Sequence, residues 1–160
     1  MPPLMPAADV AQAELVGWWR EGELLVGVPT APDRPGMRPL TSLAPMPLPT
    51  DLSGWEPIGH SCAEHPRGVA AIEDSPVEGR VGGTDDHPVV ELIRGDRVVA
   101  RNALGRPAEI CEIRIVQADS LPGLELIIAW RAPGKGPSIQ GITVFHIPES
   151  LTGSAKKSAD

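Results

Sequence analysis

The stretch Ile139-Gln140-Gly141-Ile142-Thr143-Val144-Phe145-His146-Ile147 is apolar on both of its alternating faces. Successive side chains of a strand point to opposite sides, so Ile142 and Val144 line one face and Phe145 and Ile147 the other. A strand greasy on both sides has to lie at the centre of a sandwich or against another subunit. That reading makes the chain a layered β protein. Two more strands precede it. Leu124, Leu126, Ile128 and Trp130 form one face against Glu125 and Arg131, and Cys111, Ile113 and Ile115 form one face against Glu112 and Arg114. Turns at Leu121-Pro122-Gly123 and from Ala132 to Pro137 separate the three.

Toward the N-terminus the signals weaken. Val89 to Ala100 fits either a helix started by Asp86 and Pro88 or two strands turning at Gly95-Asp96. A tight turn also accounts for Arg94-Gly95-Asp96 more simply than an adhesion motif. Residues 73–86 carry Glu73, Asp74, Glu78, Asp85 and Asp86 against Arg80, with Gly79, Gly82 and Gly83, and read as a mobile loop or the tip of a long hairpin. The organising strand of this half is Asp51-Leu52-Ser53-Gly54-Trp55-Glu56-Pro57-Ile58-Gly59-His60-Ser61-Cys62. There Ile58, His60 and Cys62 fall on one face, and Arg67–Ile72 is the expected hairpin partner.

Residues 23–50 read as a strand, Glu23–Val28, followed by an extended proline-rich loop or arm, either a disordered linker or an arm ordered on a neighbour. Prolines 29, 32, 35, 39, 45, 47 and 49 bar helix and central strand alike. Met37, Leu40, Leu43, Met46 and Leu48 give that arm apolar anchors for a neighbouring subunit. Residues 1–22 read as a helical arm, capped by Asp9 and running from Val10 to Arg20, that brings Trp18 and Trp19 to a burial site on the chain's own core or on a neighbour. Residues 51–150 are then the β-sandwich core, and 151–160 a frayed tail.

Composition bounds the possibilities. The 160 residues suit one domain with appendages, and 17 Gly with 19 Pro argue against a helical bundle. The net charge of −7 disfavours a duplex-gripping protein. No apolar run approaches the roughly 18 residues of a membrane helix. The start, Met-Pro-Pro-Leu-Met-Pro, lacks the basic and apolar regions of a signal peptide. The expectation is a soluble chain whose two cysteines, Cys62 and Cys111, stay reduced in the core, with one bridge between them as the alternative.

Chemistry is sparse. His60, Cys62 and His65, with Cys111 as a fourth donor, offer zinc-type ligands, but His-x-Cys-x-x-His is not a common zinc spacing. A core thiol beside exposed histidines explains them better, and nothing in the sequence marks Cys62 as an activated nucleophile. Asp85-Asp86-His87 suits a capped turn. Gly79-Arg80-Val81-Gly82-Gly83 lacks the lysine of a phosphate loop. No catalytic residue, metal or cofactor is expected.

Residues 24–87 resemble the tail tube (major tail) proteins of long-tailed bacteriophages with non-contractile tails. The resemblance is carried by Leu24-Leu25-Val26-Gly27-Val28-Pro29-Thr30-Ala31-Pro32, then Ser53-Gly54-Trp55-Glu56-Pro57-Ile58-Gly59-His60-Ser61, then Gly82-Gly83-Thr84. It implies a β-sandwich or barrel with a flanking helix, assembled in hexameric rings that stack into a hollow tube within the virion tail after assembly in the host cytoplasm. It implies as partners further copies of the chain and other tail proteins, with no membrane, and DNA passing through unbound. Glu73, Asp74, Glu78, Asp85 and Asp86 would then face the lumen or the next ring, where carboxylates repel the DNA backbone. A tail completion or head–tail joining protein is the nearest alternative.

Overall fold

The computed structural model describes residues 4–12, 16–20, 23–29, 35–39, 46–47, 51, 53–58, 69–71, 77–118, 122–134 and 140–152. It is mainly β, built from three small antiparallel sheets. The central sheet holds β1 (Met5–Gln12), β13 (Gln140–Ile147), β12 (Leu124–Arg131) and β11 (Glu109–Val116), in that order. One outer sheet runs β10 (Arg97–Ala103), β9 (Pro88–Arg94), β8 (Val77–Gly83) and β7 (Val69–Ala71). The other runs β5 (Met46–Pro47), β4 (Pro35–Pro39), β3 (Glu23–Pro29), β2 (Val16–Arg20) and β6 (Glu56–Ile58).

The two-faced character of 139–147 finds its cause in these layers. Phe145 and Ile147 join Leu126, Ile128 and Trp130 in a core shared with Val77, Val81, Val90 and Leu92 of one outer sheet. Ile142 and Val144 join Ile127 and Ala129 in a second core, shared with Leu24, Val26 and Ile58 of the other. Each outer sheet approaches through a glycine. A Cβ on Gly79 would stand 2.7 Å from Leu126 Cδ1, and one on Gly17 2.7 Å from Ile142 Cδ1. A side chain at either glycine would have to displace the tip of Leu126 or of Ile142, so the two glycines let the layers approach closely.

Several expectations need correction. The described residues of the expected helix, 10–12 and 16–20, are strand. Met5–Gln12 pairs along β13, with Asp9 opposite Thr143 and no capping role, and Val16–Arg20 pairs along β3. Alanine-rich periodicity favours a helix only weakly, whereas the open edge of β13 supplies backbone partners. The N-terminus is therefore part of the core sheet and not an arm. The proline-rich segment also contributes a central strand, since β4 lies between β3 and β5. Its prolines sit at its two ends, Pro35 opposite Pro29 and Pro39 opposite Leu25, leaving the middle free to pair. Among the described residues the only helix is α1 (Glu149–Thr152), so the flanking helix is reduced to one turn at the start of the expected tail. No helix there is long and apolar enough to cross a membrane.

Strand β6 pairs with β2, while β7 pairs with β8, so among the described residues the two do not pair with each other, and 59–68 lie outside the described residues. Of residues 73–86, Val77–Gly83 is a strand paired antiparallel with β9, which fits the hairpin alternative and not the mobile loop. Val89–Ala100 resolves to the two-strand reading, with Gly95 at φ 67 in the turn. In β11 a bulge between Ile110 and Glu112 leaves Cys111 as the extra residue. Cys111 consequently packs into the second core with Val116, while Ile113 and Ile115 face the first. The expected common face of Cys111, Ile113 and Ile115 is broken by that one inserted residue.

Candidate assembly surfaces and interior polar sites

The tryptophan pair divides between two faces of β2, because adjacent residues of a strand point oppositely. Trp19 packs against the second core. Its indole Nε1 finds no acceptor among the described residues, and the Arg114 guanidinium lies 5.9 Å from its ring centre. Trp18 is on the face turned away from the central sheet. It stands in one cross-strand row with Pro57 on one side and Leu25 and then Pro39 on the other. Among the candidate subunit contacts, Trp18 therefore sits on an outward apolar row, and the register puts Met37 and Met46 on the same face of the sheet. Met37 and Met46 are opposite one another on β4 and β5. Leu40, Leu43 and Leu48 lie outside the described residues.

The acidic candidates do not gather in one place. Glu78 is exposed near the start of β8, opposite Ile93 and beside the β9–β10 turn with Arg94 and Arg97. Asp85 and Asp86 are exposed past the other end of that strand. Their turn is tied by His87 N–H donating to the Thr84 carbonyl at 3.0 Å, and by Ala108 N–H donating to the Asp85 carbonyl at 2.8 Å. Together with Pro88, Val89, Ala103, Gly105, Arg106 and Pro107, Asp86 and His87 line a shallow pocket of about 250 Å³. The Arg106 guanidinium lies 4.8 Å from the Trp130 ring centre, so one wall of this pocket is braced from the core. Glu73 and Asp74 lie outside the described residues.

Cys111 is disulfide-bonded, which overturns the expectation of two reduced thiols and removes it as a free zinc ligand. Cys62, His60 and His65 lie outside the described residues. No cluster of three or more metal-type ligands occurs among the described residues.

Two polar arrangements escaped the sequence reading. Glu125, 0% exposed, sits at the end of the second core's face of β12. Its carboxylate accepts from Ala118 N–H at 2.8 Å and lies 2.9 Å from Nδ1 of His146, its cross-strand neighbour. The available signal was that Glu125 shares its face with Ile127 and Ala129, both apolar. The second arrangement lies on the outer face of the β7–β10 sheet. There Arg80, Glu91 and Arg101 occupy one cross-strand row, Arg80 Nη2 at 2.8 Å and Arg101 Nη2 at 2.7 Å from the Glu91 carboxylate. Hydrogen bonds from Arg80 first, then Arg101, hold the Glu91 carboxyl below its ordinary 4.5 against the opposing effect of burial. A carboxyl depressed by folding contributes stability above its unfolded pKa and loses it as the pH falls through the folded one. Both arginines are about half exposed, so Glu91→Gln should cost under about 1 kcal/mol at neutral pH, and that difference should vanish in acid. Urea titrations at pH 7 and pH 3 check this.

A further ion-pair group joins layers. Arg114 of β11 contacts Glu112 on its own strand and Glu56 of β6 at 2.9 Å. Burial works to lower its pKa, but the two carboxylates outweigh it and the net shift is upward. No protein family, curated protein or solved structure matches the chain.

Proposed function

We propose that this chain is a non-catalytic structural subunit that assembles with copies of itself into stacked rings, as the tail tube of a long-tailed, non-contractile bacteriophage. The observation that carries the reading is the order of the central sheet, whose two outermost strands among the described residues are β1 and β11, each eight residues long and on opposite sides. An unpaired strand edge is a template for another chain. β1 and β11 lie at opposite edges, so joining one to the other is a head-to-tail contact that closes a ring when the rotation allows. The resemblance across residues 24–87 and the mainly β architecture support the same reading.

In this reading the partners are further copies and other tail proteins, the location is the virion tail, and DNA passes through without specific binding. Asp85 and Asp86, exposed on their turn, are the best-placed acidic residues to face the passage or the next ring. The net charge of −7 suits a conduit that must not hold phosphates. Negative-stain images of the concentrated protein should contain rings or tubes, and a monomer at every concentration would refute the proposal. Asp85→Lys with Asp86→Lys should slow DNA release from assembled particles, with added salt relieving the delay. Release at the unaltered rate would remove these two residues from the passage.

A further inference from the structure

We infer that the outer face of the β9–β10 hairpin is a contact surface for a second copy of this chain, the two hairpins packing face to face about a two-fold axis parallel to their strands. The contact uses neither β1 nor β11 and so stands apart from the proposed rings.

The register lays this face out in three rows. Ile93 stands opposite Val98, Glu91 opposite Arg101, and Val89 opposite Ala103. Val90, Leu92 and Ala100 point the other way, into the first core, whereas Ile93, Val98, Val89 and Ala103 belong to neither core. A bulge keeps the rows in step. Val99 is the extra residue and packs on the first core, which leaves Val98 outward. Ile93, Val98 and Val89 are half-buried, and Arg101 and Ala103 are exposed. Gly82 of β8 extends the row of Val89 and Ala103, and a Cβ built on it meets no atom within 4 Å, so the space over this row is open.

Sheets that pack face to face keep their strands roughly aligned. An axis along the strands, midway between β9 and β10, leaves each row at its own height and exchanges the two strands. β9 of one copy then faces β10 of the other. Ile93 meets Val98, Val89 meets Ala103 and Glu91 meets Arg101, each contact occurring twice. Other placements fail. An axis over β9 sets Glu91 on Glu91, and one over β10 sets Arg101 on Arg101. An axis between β8 and β9 sets the Glu78 carboxylate on Ile93. Charge and apolarity together therefore select one arrangement. Within each copy Arg101 already holds the Glu91 carboxylate at 2.7 Å, so both side chains are set before the copies meet and lose little freedom. Six side chains a copy fall well short of the roughly 20–30 of a standard interface, which makes the pair weak, with a Kd of about 100 µM. A two-fold contact closes at two copies and does not extend.

Sedimentation of the full chain from about 10 to 500 µM should show a two-copy species gaining ground near 100 µM. Glu91→Lys alone sets the new lysine on Arg101 of the other copy, and Arg101→Glu alone sets two carboxylates together. Each should weaken pairing at least about tenfold. Mixed in equal amounts, the two variants should pair with each other at close to the parent strength. The new lysine then meets the new glutamate, while Arg101 of one variant meets Glu91 of the other. Ala103→Arg, at an exposed position where folding is not at stake, should hold the faces apart and also weaken pairing at least about tenfold. A parent chain without a two-copy species at about 500 µM, undiminished pairing in any single variant, or a mixture that stays unpaired would each overturn the inference. Rings and tubes are read in images and pairs by mass in solution, so the two readings fail separately.

Discussion

Replacing Cys62 and Cys111 together by alanine should lower the free energy of unfolding by about 4 kcal/mol relative to the oxidised protein. The figure follows from the loop the bond closes. A bond between the chain's two cysteines, at positions 62 and 111, would tie off roughly 50 residues, and the unfolded chain would lose freedom that grows with the logarithm of that length. Truncating Cys111 within the second core adds a smaller packing loss in the same direction. Urea unfolding of the oxidised protein and of the double variant measures the difference. A change below about 1 kcal/mol would mean that the bridge leaves the unfolded ensemble almost unconstrained.

Glu125→Ala should be as damaging, at about 3–5 kcal/mol. The carboxylate is wholly enclosed and holds two groups, the Ala118 N–H and the His146 ring. Removing it strands the amide donor in a site without water and opens a void beside it. His146 is 30% exposed in its side chain and can turn to solvent for a partner, so His146→Gln should cost clearly less. Equal costs for the two variants would show that the pair acts only as a unit, and a negligible cost for Glu125→Ala would show that the carboxylate is not enclosed as described. Thermal melts of the two variants beside the parent protein separate these outcomes.

The strands of the last third were legible because their code is local. Leu126, Ile128 and Trp130 lie on one face as read, and Ile142 with Val144 and Phe145 with Ile147 occupy the two faces of β13. Alternation of this kind survives any partner. The bulge at Cys111 was not legible, since one inserted residue moves a side chain to the other face without altering composition. Nor was β1. Its sequence from Met5 to Gln12 carries no strand pattern of its own and acquires its conformation from the edge of β13, some 130 residues away. The candidate site divides in the same manner. Asp85 and Asp86 were visible as an acidic turn, whereas the separation of Glu78 from them along β8 depends on strand length and register.

By itself, the amino-acid sequence determined that this is a β-rich chain with a strand greasy on both faces, two cysteines and a surplus of carboxylates. It could do so because side-chain alternation and charge are properties of neighbouring residues. Only the tertiary structure decided that two outer sheets cover that strand from opposite sides, that Cys111 is bridged and that Glu125 is enclosed with His146. Those outcomes depend on which distant backbone edges meet, and contacts between distant segments leave no local trace.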